Sequence, residues 1–325
     1  MTTGYDTASR VASWTANARD AELRLTQQTS GNSVVTTQTF EPLTGRLSTI
    51  RAGTGNAVQN FGFGYDTIGN LTSRTDANTG LSEIFGYDNL NRMTSATLGP
   101  NPAKTVSYDT TGNILTKSDV GTYTYPAPGQ PRPHGVSSIA GTLINTTFFY
   151  DANGNLSSGN GLTYAYASFN KPRQITRGAT TLSFNHDPER QRFKQIAPGK
   201  TVLYLVAAGV WIEKVIGSGG TVTWNNYLFV AGKMVGMRVE TGASVQTRYF
   251  HRDHLGSVAV LTNETGAVVE RLSYDAWGKR RQPNGADDPA GSLTSQTTRG
   301  FTGHEQLDDV DLIHMNGRVV ACPRA

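Results

Sequence analysis

Apolar and polar residues alternate along this chain in short runs, each broken by Asp, Asn or Gly. One stretch shows the unit in full. Thr147-Phe148-Phe149-Tyr150 is a β-prone run. Asp151 suits the first position of a type I turn, where its carboxylate accepts from the backbone two residues on. Gly154 stands where such a turn needs positive φ, Asn155 tolerates the same region, and Leu156 restarts an apolar strand. The unit predicted is strand, turn, strand.

The same unit recurs. Tyr65-Asp66 leads to Gly69-Asn70-Leu71, Tyr87-Asp88 to Asn91-Arg92-Met93, and Tyr108-Asp109 to Gly112-Asn113-Ile114. Earlier copies start at Tyr5-Asp6, leading to Arg10-Val11, and at Phe40-Glu41, leading to Gly45-Arg46-Leu47. A late copy runs from Tyr274-Asp275 to Gly278-Lys279-Arg280. Weaker copies keep the aromatic at Tyr166 and Phe184. Pro126, Pro128, Pro131 and Pro133 mark a loop or edge, because proline removes a ladder donor. Arg19 to Gln28 places Ala21, Leu23 and Leu25 at a strand's period.

From about Val202 the runs become richer in Val, Leu, Tyr and Trp. Thr201 to Val215 and Thr221 to Val239 read as strand candidates about the turn Gly217-Ser218-Gly219-Gly220. Val230 to Val235 reads as a tight hairpin. Arg248 to Leu261 and Ala267 to Tyr274 form another pair, joined by Asn263-Glu264-Thr265-Gly266, and Pro283 to Ser295 reads as a loop. Two-stranded hairpins are marginal in water. Laid side by side they predict a long antiparallel sheet that twists and curls. The fold class is therefore all-β, a curved antiparallel strip of hairpins.

Composition agrees with that pattern. The 36 glycines among 325 residues serve many tight turns, and 13 Tyr and 12 Phe argue against disorder. Net charge is +4, and the densest basic run, Lys279-Arg280-Arg281, reads as a solvated turn. No nucleic-acid footprint follows from it. The single cysteine, Cys322, rules out a disulfide within the chain. No apolar run reaches the ~20 residues of a membrane span, and the start, Met1 to Asp6, lacks the pattern of a signal peptide. The expected localisation is secreted or cell-surface, through a parent protein exported by a route that reads no N-terminal signal.

The repeated units resemble the YD repeats of the RHS (rearrangement hot spot) family. Tyr249 to Arg252 followed by Asp253-His254-Leu255-Gly256-Ser257 resembles the family's core motif. Thr262 to Gly266, Tyr274 to Gly278, Gly300-Phe301-Thr302-Gly303-His304-Glu305 and Leu312 to Val319 follow in the family's order. The resemblance implies YD repeats over residues 1–200, an RHS-associated core region over 201–319 and a divergent tail over 320–325. It also implies a hairpin strip that spirals into a hollow shell, as in toxin-complex C proteins and teneurins. In bacterial members the shell encloses a variable C-terminal toxin, freed inside by self-cleavage and delivered in competition between bacteria.

The Tyr-Asp-Pro and Asp-Pro-Leu-Gly stretches expected after Val319 are replaced by Val320 to Ala325. The resemblance thus points to a shell fragment, open and not a full cocoon, without its cleavage motif or toxin. Expected partners are a toxin segment or further shell repeats. A second reading is a carbohydrate- or cell-surface-binding module using the aromatic residues. A third is the remnant of an autoprotease.

No catalytic, cofactor or metal residue is assigned. His251 and His254 are three apart, on opposite faces of a strand, and a closed metal site wants about four ligands. His304 and His314 read as hydrogen-bonded shell residues. Glu305, Asp308, Asp309 and Asp311 read as a solvated acidic turn, and Cys322 has no nucleophile's partners. The residues singled out are structural ones: Tyr65, Asp66 and Gly69; Tyr108, Asp109 and Gly112; Tyr150, Asp151 and Gly154; Asp253 to Ser257; Tyr274, Asp275 and Gly278; and Gly303, His304 and Glu305.

Overall fold

The structure, a computed structural model, describes residues 2–3, 14–207, 210–316 and 319–321. The repeat at Tyr5-Asp6, the pair Gly317-Arg318 and Cys322 lie outside the described residues.

The described chain is all-β, with only two 3-10 turns besides its strands. Fourteen strands, from Thr2–Thr3 to Asn145–Thr147, form one sheet in which each strand pairs with its neighbours in sequence. Thirteen more, from Phe149–Tyr150 to Val268–Arg271, form a second sheet in the same order. Every pairing is antiparallel. The chain passes between the sheets at Phe148, whose N–H donates to the Ser137 carbonyl at 2.9 Å. Two small sheets follow, Ser273–Tyr274 with Arg280–Arg281, and Glu305–Leu307 with Leu312–His314 and Val319–Ala321.

The strip forms because alternate side chains face the same way. Ile50, Ala52, Phe85, Ile175, Leu182 and Phe184 are buried. The exposed Thr39 hydroxyl bonds those of Ser48 and Thr49 on the neighbouring strand. The strip also curls back on itself. Val34, Ala52 and Val58 of the first sheet pack on Ala259 and Val260 of the second. Asn32 donates to Thr262 Oγ1 and to the Asn263 carbonyl, both at 2.8 Å, and Gln59 Nε2 donates to the Arg252 carbonyl at 3.1 Å. Neither sheet closes into a barrel.

Several sequence expectations change. Thr201 to Val215 is not one strand but the hairpin Lys200–Ala207 with Val210–Gly217. Arg248 to Leu261 is likewise split, between Ser244–Arg252 and Val258–Thr262. At Asp253-His254-Leu255-Gly256-Ser257 the chain turns, because Asp253 Oδ1 accepts the N–H groups of Leu255 and Ser257 and ends the strand there. Lys279 and Arg281 are 7% and 5% exposed, so the basic run is no solvated turn. A loop at Asp20, with Leu23 at φ +64°, is a further copy of the turn, masked in sequence by the lack of an aromatic before it and of a glycine.

Candidate functional site

The turns share one geometry. Asp151 Oδ1 accepts the N–H of Asn153 at 2.9 Å and of Asn155 at 2.8 Å, while Gly154 N–H donates to the Asp151 carbonyl at 3.0 Å. Gly154 has φ +82°, and the ladder shifts by a residue between Phe149 and Tyr150. This is a type I turn closed by a bulge with a left-handed residue. Asp66, Asp88 and Asp109 cap their loops through the same two N–H groups. Gly69 and Gly112 take the left-handed position, and Asn91 replaces glycine there at φ +62°. The Asn155 side chain holds the Asp151 carboxyl below the usual range, and the Arg92 N–H does so for Asp88.

Asp253-His254-Leu255-Gly256-Ser257 is built the same way. Asp253 Oδ1 accepts from Leu255 N at 2.9 Å and Ser257 N at 2.8 Å, with Gly256 at φ +83°. Asp275 accepts from Trp277 and Lys279, and Asn263 from Thr265 and Ala267. Thus the late motifs that differ in letters share the loop of the early repeats.

The loops are zipped to one another. The Tyr87, Tyr108, Tyr166 and Tyr274 hydroxyls donate to the carbonyls of Leu71, Met93, Leu156 and Val258. Each acceptor directly follows the capped loop before it. Tyr150 donates to Val136. Arg92 Nη1 reaches the Asp109 carbonyl at 3.1 Å, and its guanidinium sits 4.6 Å over the Tyr108 ring. Arg46 makes the equivalent contact to the Asp66 carbonyl and covers Tyr65. These hydroxyls, and the covered faces of Tyr65 and Tyr108, are engaged in contacts between neighbouring loops.

The last described segment lies against the buried face of the strip. Leu307, Val310 and Leu312 pack on Leu162, Ile175, Leu182 and Phe184. Three buried charge clusters hold it and the strands before it. Glu83 meets Arg74 and Arg281, the latter at 2.8 Å, and Arg74 donates to the Tyr274 carbonyl. Burial opposes ionisation of Glu83, but hydrogen bonds from Arg281 and Arg74 hold its carboxyl below the usual range. Glu305 is 3% exposed and pairs with Arg192 while accepting from Tyr204 Oη at 2.7 Å. Against the burial, Arg192 and Arg299 hold it at about 2. Glu213 pairs with Arg299 and accepts from Tyr227 Oη at 3.0 Å; burial pushes its carboxyl up.

The expected acidic turn is therefore divided. Glu305 is buried in an ion pair, whereas Asp308 and Asp309 are exposed and pair with Arg280 and Lys200. A buried carboxylate needs such a partner, and strand Arg192–Ala197 supplies it. Arg281 is buried for the same reason, against Glu83.

The structure also brings the late motif residues together. Ser257 Oγ accepts the Thr302 N–H, and Val258 N–H donates to the Gly300 carbonyl. The Tyr274 ring lies 5.8 Å from Phe301, and Phe301 packs over Gly278. Gly303, at φ +75°, ends the turn, and His304 Nδ1 bonds Thr302 Oγ1 at 2.7 Å. The His254 ring lies 4.6 Å from that of Phe63, tilted by 44°, while His251 bonds Thr262. Among the described residues no group of three or more His, Cys, Asp or Glu is placed to hold a metal ion. No described helix is long and apolar enough to cross a membrane.

The partners Glu83, Glu213, Arg192 and Arg299 were not singled out from sequence. A faint signal exists: Glu83 and Glu213 share strand parity with the aromatics Phe85 and Trp211. A charge on the buried parity announces a partner, though not which one.

Residues 65–100 match the RHS repeat family, so the chain carries an RHS repeat there. No curated protein sequence matches the chain. Among solved structures, that of TcdB2-TccC3-Cdc42 matches with a TM-score of 0.72 at 16% identity, over 95% of this chain and 18% of that one. The Photorhabdus luminescens Tc holotoxin pore matches at 0.71 and 15% identity, again over 95% and 18%. TcdB2-TccC3 without its hypervariable C-terminal region matches at 0.66 and 15% identity, over 93% and 17%. At these identities the likeness is one of fold, and this chain spans under a fifth of the matched chains' length.

Proposed function

We propose that this chain is a section of the wall of an RHS-type toxin shell, and that the buried face of its strip takes up polypeptide. The observation that carries the reading is the placement of the chain's own residues 299–314 on that face. They are held there by Glu305 with Arg192, by Arg299 with Glu213, and by the apolar contacts of Leu307, Val310 and Leu312. Likeness to Tc toxin structures, one of them described as lacking a hypervariable C-terminal region, supports a toxin segment as the cargo. On this reading the work is mechanical enclosure, not catalysis, and it is done in a secreted toxin. The division at about residue 200 into repeats and core region is part of the proposal. So is the role of the singled-out Tyr, Asp and Gly residues as wall builders.

The test is protection. An unstructured reporter is fused after Ala325 of the full chain, and the same reporter before Met1 of another copy. Both are digested with a broad protease. Enclosure predicts slower cleavage of the C-terminal reporter. Equal rates would overturn it.

A further inference from the structure

We propose that a cavity between the two sheets is a binding site for an extended acidic peptide. The inference rests on the reading that the strip takes up polypeptide and adds which chemistry it selects. The cavity has a volume of about 630 Å3, within the range of ligand pockets. Strands Trp14–Arg19, Val35–Phe40 and Leu47–Ala52 form one side, and the Val230–Lys233 hairpin end with strand Ser244–Arg252 forms the other.

Its lining carries buried polar atoms without hydrogen-bond partners. They are Trp14 Nε1, Thr36 Oγ1, Gln59 Oε1, Arg252 Nε and His254 Nδ1, five of the twelve such atoms among the described residues. Thr36 and Gln59 are 5% and 0% exposed. Buried polar groups are ordinarily paired, so atoms of this kind around one cavity call for a ligand that pairs them. Trp14 and Arg252 offer donors and Gln59 an acceptor. A peptide backbone presents both complements, a carbonyl and an N–H, at every residue.

Charge selects the side chains. Arg19, Lys233 and Arg252 line the cavity, and none has a carboxylate within salt-bridge distance among the described residues. Among the described residues Asp253 is the one lining carboxylate, and its Oδ1 already accepts the N–H groups of Leu255 and Ser257. Leu47, Ile50, Val235 and Phe250 add apolar surface for alternate side chains. A sugar is less well matched. The Arg24 guanidinium lies 4.6 Å over the Phe40 ring and covers the face on which a sugar would stack.

The experiment is calorimetric titration of the full chain with a blocked eight-residue peptide alternating Glu and Leu. The Lys-Leu peptide and a neutral hexasaccharide are the controls. The variant is Arg19→Glu with Lys233→Glu; both residues are exposed, and an unchanged melting temperature establishes that the variant folds. The expected result is binding of the Glu-Leu peptide alone, weakened at least about tenfold in the variant. No heat with the Glu-Leu peptide, equal binding of the Lys-Leu peptide or of the sugar, or unchanged affinity in the folded variant would each overturn the proposal. Reporter protection is read separately, so the wall can stand while this site falls.

Discussion

The Tyr87 hydroxyl donates to the Leu71 carbonyl over 2.9 Å, joining one capped loop to the next across 16 positions of chain. Tyr108 repeats the bond to Met93 at 2.8 Å, and Tyr166 to Leu156 at 3.0 Å. The aromatic that opens each unit is therefore a strut between units. Tyr87→Phe keeps the ring and removes the donor. It should destabilise the chain by about 1 kcal/mol. Urea unfolding followed by tryptophan fluorescence would measure this, and a midpoint equal to wild type would count against the strut.

The loop aspartates act as acceptors for two backbone N–H groups. Asn263 performs the same task in its own loop, accepting from Thr265 and Ala267. Asp109→Asn should therefore lower the melting temperature less than Asp109→Ala. If the two variants melt together, the capping oxygen is not what Asp109 contributes.

Two glycines with positive φ should respond differently to alanine. At Gly154, φ +82°, an added Cβ meets open space, so Gly154→Ala should cost only the left-handed backbone, about 1 kcal/mol. Valine there, β-branched, should cost more. At Gly278, φ +90°, the Cβ would lie 2.6 Å from the Phe301 ring. Gly278→Ala should cost about 3 kcal/mol, as strain and clash add. Equal losses at the two sites would refute the close approach of Phe301.

Glu83 is shared by Arg74 and Arg281, 198 positions away in the case of Arg281. Glu83→Ala strands both cations in a buried place and should cost about 3–5 kcal/mol. Adding Arg281→Met removes one stranded charge and should recover part of the loss. Absence of any recovery in the double variant would argue that the two side chains are not coupled.

Acid should weaken the fold through its histidines before its carboxylates. Burial pushes His251 from 6.5 down to about 4, and burial with Arg192 nearby does the same to His314. Between pH 6.5 and 4 the unfolded chain binds protons that these folded histidines refuse. Stability is thus full above 6.5 and falls as pH drops towards 4, by at most about 3 kcal/mol for each group. NMR titration of the histidine rings checks the premise. If His251 titrates near 6.5 in the folded chain, the expectation fails.

The local unit is legible in the residues alone. Tyr65-Asp66 with Gly69, and its copies at Tyr108 and Tyr150, fix a turn through short-range hydrogen bonds and one left-handed residue, and these interactions span a few positions. The order of strands followed, because consecutive hairpins pair with their neighbours. Even so, the Asp20 loop stayed hidden because Leu23 takes the left-handed position without being glycine. Tertiary structure alone decided that Val34 and Ala52 meet Ala259 and Val260, that Glu305 is buried against Arg192, and that the basic run at Lys279 turns inward. Those pairs lie many strands apart. Strand periodicity says which face a side chain takes, but not what the curl of the strip will bring opposite it.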